Sequence, residues 1–224
     1  MTNPVYVAID TPDLARATTL AQAVRAYVGG LKLGLEFFAA NGPAGVKALA
    51  ELGLPVFLDL KLHDIPNTVG QAVAALAPLA PALLTVHASG GAAMLAAAKA
   101  AAPAATRIIA VTVLTSLDDD DLAAAGVADG AAAQVVRLAA MTRTAGCDGV
   151  VCSPHEVQAV QALWPAGQRI VPGVRPAGSA ALDQKRVMTP AQALAAGATV
   201  LVIGRPITAA TDPAGAARVI AASL

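Results

Sequence analysis

The chain is organised around residues 54–69, which read Leu54-Pro55-Val56-Phe57-Leu58-Asp59-Leu60-Lys61-Leu62-His63-Asp64-Ile65-Pro66-Asn67-Thr68-Val69. The apolar first part is typical of a buried β-strand, and a helix is expected to follow Pro66. Side chains alternate along a strand, so Asp59 and Lys61 are expected on one face and the leucines on the other. Adjacent buried charges cost desolvation, which a chain tolerates chiefly where those charges are used. The stretch therefore predicts a strand that ends in a functional ion pair.

The same strand-then-helix unit recurs along all 224 residues. Besides the opening stretch, strands are predicted at 4–9, 31–33, 82–86, 107–113, 149–152, 169–171 and 199–203. Eight such units, without the glycine fingerprint of a dinucleotide-binding fold, predict a (β/α)8 TIM barrel as one domain over residues 1–224. An open doubly wound sheet is the alternative.

Local signals predict details of several helices. The helix over 36–52 is expected to be interrupted near Asn41-Gly42-Pro43. The aspartates of 118–121 are expected to cap a short helix. Ser153 followed by Glu156 is a capping signature for the helix that is expected to end near Trp164.

Composition limits the classes of function. Lys plus Arg and Asp plus Glu both number 15, which leaves no basic patch of the kind that nucleic-acid binding needs, so small molecules or a second copy are the expected partners. The chain is 56% hydrophobic, but prolines, glycines and polar residues interrupt its apolar runs, so no membrane segment is expected. Residues 1–4 lead directly into a strand without a signal-peptide pattern, which predicts a cytoplasmic protein. Cys147 and Cys152 are interpreted as buried thiols.

Polar residues concentrate where the predicted strands end. Active sites of TIM barrels lie on the loops at the carboxyl ends of the strands. The residues that follow this rule are Asp10, Lys32, Asp59 with Lys61, His87, Thr115-Ser116, Ser153 and Gly204-Arg205. A random scatter of solvated charges would be less selective.

Lys32, Asp59, Lys61 and Asp64 form the first candidate cluster. Two ammonium groups at one site are costly unless they hold an anion or deliver a proton. The alternative is a salt-bridge network that closes the top of the barrel. Asp64 lies beyond the strand, so it could point away from its own barrel and serve a neighbouring subunit.

The loops after strands seven and eight form the second candidate cluster. Barrels often hold a phosphate there with backbone N–H groups, and Gly204 with Arg205 suits that task. Gln184 could fold over the same anion, while an ordinary surface arginine is the alternative for Arg205. Thr115 and Ser116 could contact a ligand or cap a helix, and His87 is interpreted as a structural hydrogen-bonding residue. The sequence holds no HExxH motif, nucleophile elbow, P-loop or cysteine cluster, which argues against metalloprotease, serine-hydrolase and NTPase chemistry.

Seven segments together resemble the motifs of the orotidine 5'-phosphate decarboxylase family, in the same order. They are 7–10, 31–34, 59–69, 111–116, 171–175, 183–187 and 204–207, that is VAID, LKLG, DLKLHDIPNTV, VTVLTS, VPGVR, DQKRV and GRPI. The segment 59–69 is the most specific of them. Leu182 departs from the glycine that many members have before the Asp-Gln pair, which bears on the motion of that loop.

The resemblance implies a decarboxylase of de novo pyrimidine nucleotide synthesis that needs no cofactor or metal. It implies that Asp59 faces the substrate carboxylate and that Lys61 delivers a proton to C6. It implies that Lys32 and Asp10 bind the ribose, that Ser116 contacts the pyrimidine, that Gln184 and Arg205 hold the phosphate, and that Asp64 and Thr68 act across a homodimer interface. Thr115, Arg175 and Gly204 are further expected substrate-binding residues.

Two other functions stay open at this point. A sugar-phosphate lyase of the same suprafamily shares an Asp-x-Lys-x-x-Asp pattern but uses a divalent metal, and His63 with the Ile65-to-Thr68 segment favours the decarboxylase over it. A catalytically silent phosphate-binding barrel is the other, against which the four intact charges argue.

Overall fold

The computed structural model describes residues 3–175 and 188–224, and within these ranges eight parallel strands close into a barrel in chain order. The strands are β1 Val5–Ile9, β2 Gly30–Gly34, β3 Val56–Leu62, β4 Leu83–His87, β5 Arg107–Val111, β6 Gly149–Val151, β7 Gln168–Val171 and β8 Val200–Ile203. Closure is made by β1 pairing with β8, with Val5 opposite Leu201. The predicted (β/α)8 barrel is confirmed, and the open sheet is wrong.

Helices connect successive strands on the outside of the barrel. In the described ranges they are α1 Leu14–Val24, α2 Leu35–Ala50, α3 Pro66–Leu76, α4 Gly91–Ala101, α5 Asp119–Ala124, α6 Gly130–Thr144, α7 Val157–Leu163, α8 Pro190–Ala195, α9 Arg205–Thr208 and α10 Pro213–Ala222. None of the helices among these residues is long and apolar enough to cross a membrane.

Within the described ranges the buried residues form two hydrophobic clusters. The larger lies between the strands and the helices and includes Leu31, Leu33, Leu58 and Phe37. The smaller fills the barrel interior and consists of Ala8, Phe57, Leu83, Ile109, Ile170, Val200 and Val202, with Tyr6 and Val151 against it. Because this second cluster plugs the barrel, a ligand can enter only above it, at the mouth.

Two of the three local predictions are confirmed. Gly42, with φ 56° and ψ −159°, interrupts α2 one residue before Pro43. Asp118 and Asp121 cap α5 reciprocally, each side chain accepting from the other residue's backbone N–H.

The capping prediction at Ser153 is wrong in its position. The helix α7 begins at Val157, and no side chain caps it. The carboxylate of Glu156 instead accepts hydrogen bonds from the backbone N–H and the hydroxyl of Ser153. These bonds close a buried turn before the helix, because the same donor and acceptor spacing suits a turn as well as a first helical turn.

Candidate active site

A cavity of about 490 Å³ opens at the carboxyl ends of the strands, within the usual range of small-molecule sites. Its floor is apolar, formed by Ala8, Phe57, Val151, Ile170 and Val202 of the barrel interior. Its rim carries Asp10, Lys32, Asp59, Lys61, Thr115, Arg175, Gly204, Arg205 and Thr208. An apolar floor under a charged rim suits a ligand with a flat body and anionic ends.

Four charges of alternating sign run along one wall of the cavity. Lys61 Nζ lies 2.8 Å from Asp59 Oδ2, and Lys32 Nζ lies 3.8 Å from the same oxygen. On its other side Lys32 Nζ lies 2.9 Å from Asp10 Oδ1. The side chains of Lys32 and Asp59 are 11% and 12% exposed, so the two inner charges are largely withdrawn from water. This network joins Lys32, Asp59 and Lys61 of the first predicted cluster to Asp10, whereas Asp64, the fourth member predicted for that cluster, does not line the cavity.

The backbone brings Asp59 and Lys61 together in a way that simple alternation does not describe. Leu58 is paired with Leu84 and Leu62 with Val86, so three residues of β3 lie opposite one residue of β4, Thr85. Lys61 itself has φ 50°, in the left-handed region that residues with a side chain rarely adopt. The expectation of a regular strand at this point is wrong, because a bulge re-aims the side chain.

Thr85 occupies the gap that the bulge leaves. Its hydroxyl donates to Asp59 Oδ1 over 2.9 Å and accepts from the backbone N–H of Lys61 over 2.9 Å. The residue is fully buried. Sequence reasoning missed it, although it is the single hydroxyl in the run Leu83-Leu84-Thr85-Val86.

A positively charged region faces this network across the cavity mouth. Arg175 is buried, and its Nε has no hydrogen-bond partner among the described residues. Burial and, to a lesser degree, the nearby Arg205 guanidinium lower the pKa of Arg175. Two neighbouring guanidinium groups, one with an unused buried donor, are suited to bind an anion with several oxygens.

Glycines make room at both ends of the site. A Cβ atom at Gly34 would lie 3.1 Å from Lys32 Nζ and 3.3 Å from Asp10 Oδ1, so the absence of a side chain there leaves space for that ion pair. At Gly204 a Cβ atom would meet only Ala8 Cβ, at 3.5 Å. The barrel packing therefore does not require glycine at 204. Sequence reasoning missed Gly34 and also Thr208, which lines the cavity one helical turn beyond Gly204.

Two histidines lie beside the charged wall. The rings of His63 and His87 have centroids 5.5 Å apart, and His87 Nδ1 lies 3.3 Å from Ser89 Oγ. Desolvation, followed by the charges of His63 and Lys61, lowers the pKa of His87, which favours its neutral form. The contact with Ser89 agrees with the structural role expected for His87.

Several predicted site residues lie elsewhere. Ser116 is exposed and does not line the cavity, whereas Thr115 does. Asp64 and Thr68 are exposed beyond the end of β3, where Asp64 Oδ1 accepts from the backbone N–H of Ile65 over 2.7 Å. Gln184 and Leu182 lie outside the described residues. The roles expected for these residues stay predictions.

Chemically, the cavity holds a carboxylate fixed by two ammonium groups at one end and a cationic pair at the other. A second carboxylate placed against Asp59 would be repelled, while Lys61 Nζ could donate a proton to a carbon that becomes an anion. The cationic end can bind a phosphate. The site therefore suits decarboxylation of a phosphorylated acid.

Comparisons with known proteins agree with this chemistry. A sequence model described as the orotidine 5'-phosphate decarboxylase / HUMPS family matches residues 3–220. A relative named orotidine 5'-phosphate decarboxylase from Sphingopyxis alaskensis is 62% identical over the whole of both chains. The crystal structure of an orotidine 5'-phosphate decarboxylase from Lactobacillus acidophilus superposes with a TM-score of 0.85, at 38% identity over 97% of each chain. A second structure, titled orotidine 5'-monophosphate decarboxylase from Methanocaldococcus jannaschii complexed with the inhibitor BMP, shares the fold at 20% identity and a TM-score of 0.82, covering 100% of this chain and 99% of its own.

Proposed function

The chain belongs to the orotidine 5'-phosphate decarboxylase / HUMPS family, and we propose that it converts orotidine 5'-phosphate to uridine 5'-phosphate and carbon dioxide in pyrimidine nucleotide synthesis. The observation that carries the proposal is the alternating row Asp10, Lys32, Asp59 and Lys61 along one cavity wall. We propose that residues 1–224 act as one catalytic domain, in the cytoplasm.

The reaction breaks the bond between C6 of the pyrimidine and its carboxylate. The electron pair stays on C6, in the plane of the ring, where no electron sink accepts it. In the proposed complex Asp59 faces the substrate carboxylate, so their repulsion is relieved as carbon dioxide leaves. The buried position of Asp59 strengthens that repulsion, since water screens it little.

Lys61 is proposed as the proton donor. Its ammonium lies 2.8 Å from Asp59 Oδ2 and is therefore held near the proposed position of C6. It stabilises the developing carbanion and then transfers a proton to C6, after which solvent reprotonates the amine. The proposed step needs no metal or cofactor.

The phosphate is proposed to bind at the opposite end. Arg175 offers its unpaired Nε, Arg205 lies beside it, and the open space above Gly204 lets an oxygen approach the backbone. Gln184 is proposed as a further contact. Binding energy gained there, far from C6, can support assembly of the reacting end.

The body of the nucleotide would lie over the apolar floor. Lys32 and Asp10 are proposed to bind the ribose hydroxyls, which their position on the cavity rim allows. Thr115 and Ser116, after β5, are proposed to contact the pyrimidine.

The active enzyme is proposed to be a homodimer that shares residues between sites. Asp64 and Thr68 lie outside their own cavity on the exposed segment 63–68, where Ile65 is 67% exposed. Leu35 is also exposed, at 57%. Exposed large apolar residues beside functional polar ones favour burial against a second copy, which would carry Asp64 and Thr68 into the partner's site.

The proposal is tested by the absorbance of purified protein mixed with orotidine 5'-phosphate, with and without EDTA. Loss of the orotidine absorbance that survives EDTA is expected. Activity that EDTA abolishes would favour a metal-dependent sugar-phosphate lyase, and no loss of absorbance would favour a silent phosphate-binding barrel. Lys61→Ala is the matched control and should abolish turnover, because it removes the proposed proton donor and leaves the rest of the chain unchanged.

A further inference from the structure

The bulge in β3 leaves the backbone of Lys61 without the usual ladder partner. The N–H of Lys61 donates to a side-chain oxygen, the hydroxyl of Thr85. Here Asp59, Leu60 and Lys61 face the single residue Thr85, and Lys61 lies in the left-handed region. Such a conformation persists only where the surroundings hold it.

The hydroxyl of Thr85 contacts both Lys61 and Asp59. The Thr85 hydroxyl accepts a hydrogen bond from the backbone N–H of Lys61 and donates one to Asp59 Oδ1, each over 2.9 Å. Because a hydroxyl has one proton and two lone pairs, both bonds can exist together. The side chain is fully buried, so water does not compete for either bond.

We propose that Thr85 is a positioning residue, whose hydroxyl ties the Lys61 backbone to the Asp59 carboxylate and so aims the Lys61 ammonium at the reacting carbon. This inference rests on the proposed function. Asp59 Oδ1 is fixed by Thr85, which leaves Oδ2 to meet Lys61 Nζ at 2.8 Å and Lys32 Nζ at 3.8 Å. Thr85 thereby sets the orientation of the carboxylate relative to both lysines.

The test compares Thr85→Val, which keeps the shape and loses the hydroxyl, with Thr85→Ser, which keeps the hydroxyl. Thr85→Val is expected to lower kcat by roughly 10- to 100-fold, as expected for loss of a hydrogen bond to a charged group. Its Kd for uridine 5'-phosphate should stay within about twofold of wild type, because the phosphate end is untouched. Thr85→Ser should restore kcat to within about threefold.

Three results would overturn the inference. They are an unchanged kcat in Thr85→Val, an equal loss in the serine variant, or a loss of uridine 5'-phosphate affinity in parallel with kcat. Should the valine chain fail to fold, Thr85→Ala removes the same hydroxyl with less bulk and is judged by the same comparison. Thr106→Val is the control, because it also removes a buried hydroxyl, one that donates to Pro81 O before the start of β5. Its kcat should stay close to that of wild type, since Thr106 does not line the cavity.

A crystal structure of the valine variant gives an answer that does not depend on turnover. Lys61 is expected to leave φ 50° and its Nζ to move away from Asp59. If Lys61 keeps its φ of 50° and its Nζ stays 2.8 Å from Asp59 Oδ2, the positioning role is contradicted even if kcat falls. If wild type fails to consume orotidine 5'-phosphate, the proposed function fails, while this structural comparison still decides whether Thr85 holds Lys61.

Discussion

At the scale of single residues, Arg175 and Arg169 are equally buried, at 6% exposure, but their donors are used differently. Arg169 Nε donates to Gly197 O over 2.6 Å, and its Nη1 donates to further carbonyls, including Pro165 O at 3.1 Å. Arg175 Nε has no such partner in the described chain. The first arginine holds loops together, whereas the second has a buried donor that we propose to bind a ligand.

We predict that Arg175→Ala weakens binding of uridine 5'-phosphate by roughly 10- to 100-fold, the loss expected for charge-assisted hydrogen bonds to phosphate. The unliganded variant should be as stable as wild type or more so, because the change relieves the burial of a cation beside Arg205. Calorimetric titration and urea unfolding measure the two quantities.

The control is Arg169→Met, for which the opposite pattern is expected. Its loss leaves buried carbonyls unsatisfied and should lower the free energy of unfolding by about 1–3 kcal/mol, with nucleotide affinity retained. Equal destabilisation by both substitutions would contradict the assignment of Arg175 to the ligand.

The buried thiol of Cys152 is expected to make the folded chain less stable at alkaline pH. Burial, followed by the charge of Glu156, raises the pKa of its thiol from 9.0 to about 12. Between these values the unfolded chain releases the proton and the folded chain retains it, so the free energy of unfolding falls as pH rises above 9. The slope contributed by one such thiol is at most about 1.4 kcal/mol per pH unit.

Urea unfolding between pH 8 and pH 10.5 measures this slope. Cys152→Ala should make it shallower, whatever the variant's stability at pH 8. Cys147 is also buried, and its thiol pKa is likewise raised to about 12, so the double variant should be shallower still. A slope identical in all three chains would show that other groups cause the alkaline loss.

At the scale of elements, α2 contains a break that reverses the usual effect of glycine. In a regular helix Gly→Ala is stabilising by about 1 kcal/mol. Gly42 has φ 56° and ψ −159°, a conformation that alanine adopts only with strain, although nothing lies within 4 Å of the added Cβ. Gly42→Ala is therefore expected to destabilise by about 1–3 kcal/mol through the backbone alone.

Thermal unfolding of two variants tests this. Ala44→Gly, at an exposed position in the regular part of the same helix, should cost about 1 kcal/mol. Both substitutions are thus expected to lower Tm although they are opposite in kind. A higher Tm for Gly42→Ala would mean that the two halves of α2 can join as one straight helix.

At the scale of the whole molecule, the homodimer proposal predicts complementation between inactive chains. The Lys61→Ala chain lacks the proposed proton donor in its own site. The Asp64→Asn chain lacks the carboxylate proposed to enter the partner's site. A mixed dimer then contains one site with both native residues. Mixing equal amounts after reversible dissociation should restore about one quarter of wild-type activity, from random pairing of two chains.

Ile65→Asp provides the matching measurement of assembly. A charge at this exposed apolar position should oppose burial against a second copy, giving monomers in sedimentation and low turnover. Full activity in a monomeric variant, or no recovery on mixing, would place Asp64 outside the catalytic site.

The sequence by itself determined the barrel and most of its charged rim. A strand with period-two or continuous apolar character, followed by a helix with its own cap, is encoded locally, so eight repeats of that unit can be recognised without coordinates. Asp10, Lys32, Asp59 and Lys61 were predictable because each lies in or directly after a strand, towards its carboxyl end, and parallel strands bring these ends to one face.

Only the tertiary structure decided how those charges are held. The bulge in β3, the φ of 50° at Lys61 and the hydroxyl of Thr85 between Asp59 and Lys61 depend on how one strand registers with its neighbour. Register is set by packing of the whole barrel and not by the residues of one strand. The same holds for Arg175, whose unused Nε is recognisable only once its surroundings are known. Residues 59–69 indicated the type of reaction, and the contacts between β3 and β4 determine how the reacting side chains are placed.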